Sequence, residues 1–174
     1  SDQFIAAQNF MAQGNIKDAL VILEDLSKNA PGSYRMLSLF SKAGALLQQG
    51  SRDSQEQAIT LLKEIENTKG VDAIYRDLAE ILRYMQEVDI LKTSDKALDS
   101  IRLRLDQLIT DKGPWYPMAL ELKGATLYKV GAYQQAAEVF VQLVQDKQIP
   151  DAMKMRAQLM TQTLAAKLNT QKKK

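Results

Sequence analysis

An alanine recurs at a fixed interval along this chain of 174 residues and constrains its fold more than any other feature. The interval is 39 residues, and the alanines are Ala19, Ala58, Ala97 and Ala136. Each is followed four positions later by a large apolar residue, namely Leu23, Leu62, Ile101 and Phe140. Residues four positions apart lie on one face of an α-helix. Regular spacing of this kind predicts an all-α array of similar helical units.

A second helix is predicted before each of these four, and it carries its own pair of a small and a large residue three positions apart. The pairs are Ala7 and Phe10, Gly44 and Leu47, Ala79 and Leu82, and Gly124 and Leu127. Glycine inside a helix costs about 1 kcal/mol relative to alanine. A small residue also lets a neighbouring helix approach closely, and we expect this packing to offset the cost. The predicted unit is therefore helix A, a turn and helix B.

Glycine, proline and capping residues place the ends of the predicted helices. The spans are near 2–13, 15–28, 33–49, 54–67, 71–88, 95–111, 115–130 and 133–146, with a ninth helix from Pro150 to about Leu168. Asp53 or Ser54 is the expected N-cap of the fourth helix, and Ser94 or Asp95 that of the sixth. One helical-repeat domain is predicted over 1–169, with units near 1–31, 32–69, 70–113 and 114–149, a capping helix at 150–168 and a disordered basic tail at 170–174.

Composition argues against several classes of function. The chain has no cysteine and no histidine, which excludes zinc fingers, thiol chemistry and imidazole bases. A net charge of +2 gives no electrostatic case for nucleic acid. The sequence contains no phosphate-binding loop, dinucleotide fingerprint or serine-hydrolase elbow. Adjacent carboxylates such as Glu24 and Asp25 are interpreted as solvated. We therefore expect no catalytic residue, no metal and no cofactor.

The fourth unit resembles the tetratricopeptide repeat. The residues that match the motif's small, aromatic and turn positions are Gly124, Leu127, Gly131, Tyr133, Ala136 and Phe140. The first unit matches it at Ala7, Phe10, Gly14, Ala19, Leu23 and Pro31. The resemblance implies a right-handed solenoid of four helical hairpins closed by a C-terminal capping helix, although the usual period is about 34 residues.

The long units, the segment "GPWYPMALELKGATLYKVGAYQQAAEVF" and the final helix are similar to the bacterial family of the ancillary Sec-translocon subunit. That resemblance implies one N-terminal transmembrane helix followed by a periplasmic repeat domain. It also implies partners among translocon and periplasmic chaperone components. Since the chain starts at Ser1, the anchor is expected upstream of it, and this chain is expected to touch a membrane only through that segment.

The function expected on these grounds is a non-catalytic protein-interaction scaffold on the periplasmic side of the inner membrane. The alternative is a cytoplasmic repeat adaptor or co-chaperone that binds a peptide in its concave groove, and an enzyme is a distant third. The Lys/Asn set with which some family members clamp a chaperone's terminal carboxylate is absent from the groove positions. This absence argues against that class of partner.

The resemblance places the inner faces of the A helices in the binding groove. The expected groove residues are Arg76, Glu80, Arg83 and Tyr84 in the third unit, Glu121, Ala125, Tyr128 and Lys129 in the fourth, and Ser41, Ala45, Gln48 and Gln49 in the second. Such a mixture suits a partner's peptide or helix, and an ordinary wet surface is the alternative. Glu80 is expected to form an exposed pair with Arg76 or Arg83, which a partner's carboxylate would replace at little cost.

Three further features have two interpretations each. Trp115 is expected to staple the start of the seventh helix rather than to anchor a partner. Core filling is preferred over a peptide-binding surface for the methionines Met118, Met153, Met155 and Met160. The basic tail at Lys172, Lys173 and Lys174 is interpreted as solubilising rather than as a lipid contact.

Overall fold

The computed structural model describes residues 2–172, and two lysines of the predicted tail, Lys173 and Lys174, lie outside the described residues. Within that range the chain is all-α, without a strand. The nine helices of the described range are α1 (Asp2–Ala12), α2 (Ile16–Asn29), α3 (Ser33–Gln48), α4 (Arg52–Asn67), α5 (Ala73–Ile90), α6 (Ala97–Asp111), α7 (Tyr116–Lys129), α8 (Tyr133–Gln145) and α9 (Asp151–Gln171).

The helix ends lie within three residues of the predicted ones, but the expected caps differ. Ser51, not Asp53 or Ser54, caps α4: its hydroxyl accepts from the Ser54 N–H at 3.1 Å, and the Ser54 hydroxyl accepts from the Ser51 N–H at 3.2 Å. This reciprocal capping box moves the start of α4 towards the N-terminus. Asp95 does act at the start of α6, where its carboxylate accepts from the Ala97 N–H at 2.9 Å.

The chain divides into two compact units, and the boundary between Glu87 and Val88 falls within the last turn of α5. In unit 1, consecutive helices from α1 to α4 pack on one another, and Ala79 of α5 joins the core formed by α3 and α4. In unit 2, consecutive helices from α6 to α9 pack on one another. One core cluster of unit 2 consists of Tyr116, Leu120, Leu127, Ala136, Val139, Phe140, Leu143, Ile149, Ala157 and Leu164.

Three of the four repeated alanines are fully buried, and the fourth is not. Ala19, Ala58 and Ala136 have no exposed surface, which confirms their predicted close packing. Ala97 is exposed because it is the first residue of α6, and the buried position at that level is taken by Leu98. The prediction for Ala97 is therefore wrong. The large residues four positions after the alanines are all buried, including those of α6.

The small residues of the A helices show a similar exception. Ala7, Ala79 and Gly124 are buried as expected. On α3, however, Gly44 is only half-buried, whereas Ala45 is completely buried in a cluster with Ala7. The register predicted for this helix was therefore displaced by one residue. Ala45 belongs to the core and is excluded from the expected groove.

Glu24 on α2 is held by two lysines, Lys28 one turn later at 2.6 Å and Lys42 on α3. Their hydrogen bonds lower the pKa of the Glu24 carboxyl to about 2 from its ordinary 4.5. A lowered folded-state pKa stabilises the fold above the ordinary value, and this stabilisation is lost as the pH falls towards 2. We expect an NMR titration of Glu24 to show a midpoint near 2, and Lys42→Met to raise it. An unchanged midpoint in that variant would disprove the role of Lys42.

Candidate protein-binding surfaces

Arg83, a predicted groove residue on α5, is the centre of an ion-pair cluster in unit 1. Its Nε lies 2.6 Å and its Nη2 2.8 Å from the two carboxylate oxygens of Glu66 on α4, and its Nη1 lies 2.9 Å from Glu87. The three side chains are only 14–19% exposed. Burial disfavours the charged form of Arg83, but the hydrogen bonds and charges of Glu66 and Glu87 outweigh it and raise the pKa of the guanidinium. Arg83 therefore joins α4 to α5 and is not an exposed, exchangeable group.

Tyr84 is covered by the same cluster. Its ring lies 4.6 Å from the Arg83 guanidinium, and its hydroxyl donates to Glu80 at 2.8 Å. Burial, assisted by the Glu80 carboxylate, raises the pKa of the Tyr84 hydroxyl to about 12. Glu80 is thus bonded to Tyr84. Among the four predicted residues of α5, Arg76 is the one that is exposed.

The predicted groove residues of unit 2 also make contacts within their own unit. Glu121 on α7 forms a bidentate ion pair with Arg156 on α9, at 2.8 and 3.0 Å. The Lys129 ammonium donates to the carbonyls of Val88 and Asp89, in the last turn of α5. A cation there satisfies carbonyls that lack helical partners and complements the helix dipole. Both residues therefore have structural roles.

Tyr128 forms an aromatic cluster with Tyr133 at the turn between α7 and α8. The ring centroids are 5.4 Å apart, and the Lys167 ammonium of α9 lies 5.8 and 5.5 Å from them. This cation–π arrangement ties the end of α9 to the hairpin. Ala125 is exposed.

Polar groove residues of the second predicted unit join α3 to α1. Gln8 donates to the Ser41 hydroxyl at 2.9 Å, and Gln48 donates to the Met11 carbonyl at 3.0 Å. Residue numbers increase together along both helices in these pairs, so α1 and α3 run in the same direction. Gln49 is exposed at the end of α3.

The same two helices expose large apolar side chains that were not predicted from the sequence. We define the α1–α3 surface by the large exposed residues Ile5, Tyr34 and Leu37, which are 58%, 40% and 47% exposed. Phe4 supports it by an edge-to-face contact with Tyr34, with centroids 6.3 Å apart. The sequence did contain a signal for this surface. Tyr34, Leu37 and Ser41 are three and four positions apart, so they share one face of α3, and this face is not the apolar stripe that packs in the core. Polar groups adjoin the surface, among them Gln8 and Asp25, which lines a shallow pocket together with Tyr34.

Unit 2 contains a cleft of about 550 Å³ formed by side chains of α6, α7 and α8. Four of its charged groups form two pairs: Arg102 with Asp99, and Lys123 with Asp106 at 2.6 Å. The Nε of Arg102 is buried and, in the described part of the chain, has no hydrogen-bond partner. The pair of Lys123 and Asp106 joins α7 to α6, and paired charges of this kind do not constitute a nucleophile with its base.

For Trp115 and the methionines, the burial of each side chain helps to decide between structural packing and partner binding. Trp115 is half-buried directly before α7, while its neighbour Tyr116 is buried and donates to Asp146 at 2.8 Å. Tyr116 thus ties the start of α7 to the end of α8. Met153 and Met160 pack on the core of unit 2, as predicted. Met155 is 65% exposed, so core filling is wrong for this residue.

Among residues 2–172, no three acidic side chains are grouped closely enough to hold a metal ion. None of the helices in that range combines the length and apolar character needed to cross a membrane. No protein-family model matches the sequence, and comparisons with curated proteins and with solved structures gave no significant match.

Proposed function

We propose that this chain is a non-catalytic protein-interaction scaffold whose α1–α3 surface binds an apolar segment of a partner protein. The observation that carries the proposal is the exposure of Ile5, Tyr34 and Leu37 on two neighbouring helices. Exposed apolar patches rimmed by polar groups are typical of interaction sites. The groove residues expected from the sequence are a weaker choice, because most of them pair within their own unit.

The chemistry of the surface selects the class of partner. Its apolar residues are adjoined by Gln8 and Ser41, whose side chains already bond each other, and Tyr34 shares a pocket with Asp25, so the contacts offered to a partner are mainly apolar. The remaining exposed part of each large side chain stabilises a complex by roughly 1 kcal/mol when buried. Three such residues give a modest affinity, which suits an amphipathic helix that lays an apolar face between α1 and α3.

The arrangement of the helices and the cellular location of the chain are also part of the proposal. We infer a tetratricopeptide-like, right-handed solenoid of four hairpins and a capping helix, which the buried Ala19, Ala58 and Ala136 support. We place it in the periplasm, as the soluble part of an inner-membrane-anchored protein associated with the translocon or with chaperones. The gene sequence upstream of Ser1 tests this placement, since a basic segment followed by about 20 apolar residues is required. A soluble start would favour the cytoplasmic adaptor.

A photo-crosslinking amino acid at Leu37 tests the binding surface. The matched control is Val21 on α2, which is 66% exposed in the same unit. In native membranes, we expect one discrete adduct from position 37 that is absent from position 21, with mass spectrometry identifying the partner. Leu37→Asp should then weaken binding of the identified partner at least tenfold, or about 1.4 kcal/mol, while Val21→Asp leaves it unchanged. Equal effects at both positions would refute the α1–α3 surface as the site.

A further inference from the structure

One face of α9 is unpartnered within unit 2. Ala157 and Leu164 are buried in the core, and Met153 and Met160 pack against it. On another face lies what we call the α9 outer stripe, formed by the exposed residues Ala152, Met155, Leu159, Gln162, Ala166 and Asn169. Met155 and Leu159 are 65% and 64% exposed. The stripe is therefore an uncharged helix face with two large apolar residues, Met155 and Leu159, that unit 2 leaves open to solvent.

The spacing and charge of the stripe indicate what covers it. Its residues follow one another at intervals of three and four, the spacing of a coiled-coil seam. It spans about 26 Å of helix, and none of its six residues is charged. Two nearby cations face unit 2 instead: Arg156 is bound by Glu121, and Lys167 lies over Tyr128 and Tyr133. A helix with an uncharged seam of the same spacing is complementary to the stripe, and α9 of a second copy supplies one.

We propose that the α9 outer stripe is a homodimer interface, in which α9 packs antiparallel against α9 of a second copy. With the two-fold axis between Leu159 and Gln162, Met155 of one copy lies opposite Ala166 of the other, and Leu159 lies opposite Gln162. Large residues thus meet smaller ones, or the apolar stem of Gln162, and the layers interdigitate.

A parallel pair is the competing arrangement. It would stack Met155 on Met155 and Ala166 on Ala166, which alternates crowded and empty layers. It would also bring Asp151 towards Arg156 of the second copy, but both Nε and Nη2 of Arg156 are already bonded to Glu121. The antiparallel pair needs no such exchange.

Sedimentation of the full chain over a range of concentrations tests the dimer. One helix pair is at the small end of specific interfaces, so we expect a weak, reversible dimer that is populated at about 0.1 mM. Leu159→Lys should weaken it at least tenfold. Leu103→Lys is the matched control, since Leu103 is 65% exposed on α6 of the same unit and should leave the dimer unchanged. A chain that remains monomeric up to about 1 mM, or that responds equally to both variants, overturns the proposal.

Single cysteines test the orientation, because the chain has none of its own. Under oxidising conditions, a mixture of Met155→Cys and Ala166→Cys should form the mixed disulfide much faster than either variant links to itself. Faster linking of Met155→Cys to itself would show a parallel pair and overturn the antiparallel interface. Unchanged circular dichroism of each variant confirms that the fold is retained.

Discussion

Replacing Arg83 with glutamate is expected to lower the free energy of unfolding by about 3 kcal/mol or more. The change removes both contacts to Glu66 and the contact to Glu87, and it places a third carboxylate beside them. These side chains are largely screened from water, so the remaining charges are poorly solvated. Removing one partner from a buried ion pair typically costs about 3–5 kcal/mol, because an uncompensated charge is left behind.

Urea denaturation followed by circular dichroism measures this effect. The matched control is Arg76→Glu, which makes the same charge change on the same helix at an exposed position. A surface substitution of that kind is expected to change stability by no more than about 0.5 kcal/mol. Similar losses for the two variants would mean that the cluster contributes little, and net charge alone would then explain the result.

The Arg83 cluster also shows why the sequence predicted the binding surface at residues of α5 that pair within unit 1 instead. Its spacing from Arg76 and Glu80 predicted a shared, solvated helix face. Glu66 is 17 residues away in sequence, on α4, and no local pattern relates it to Arg83. Lys129 is similar, because its contacts to Val88 and Asp89 cross about 40 residues. The packing of one helix on another decides whether a charged side chain remains available for a partner.

The helices themselves were predictable because their signals are local. Apolar periodicity and the glycines between segments set the helix ends to within a few residues. The errors arose where local signals compete. Ala97 fits the interval of 39 residues, but α6 begins only at Ala97 itself. Leu98, the next residue, therefore takes the buried position that the interval predicted for Ala97. On α3, three small residues adjoin, Ala43, Gly44 and Ala45, so sequence alone does not set the register.

The contact between Gly124 and Phe140 is expected to reverse the sign of a helix-propensity effect. A Cβ atom at position 124 would lie 2.8 Å from Cζ and 2.9 Å from Cε2 of the Phe140 ring. That ring is only 2% exposed in the core of unit 2 and has little room to move. Overpacking costs about 1–3 kcal/mol, which exceeds the gain of about 1 kcal/mol from alanine in a helix. We therefore expect Gly124→Ala to destabilise the protein.

A double-mutant cycle with Phe140→Ala separates the two effects. Phe140→Ala alone should cost about 3–5 kcal/mol, because it removes a large buried ring and leaves a cavity. Once the ring is gone, Gly124→Ala no longer meets it and should stabilise the variant by up to about 1 kcal/mol. The coupling free energy from urea denaturation should then be at least about 1 kcal/mol. If Gly124→Ala has the same effect in both backgrounds, the glycine does not serve the approach of Phe140. The coupling predicted here would instead establish that close helix packing, rather than turn formation, is the reason for glycine at this position.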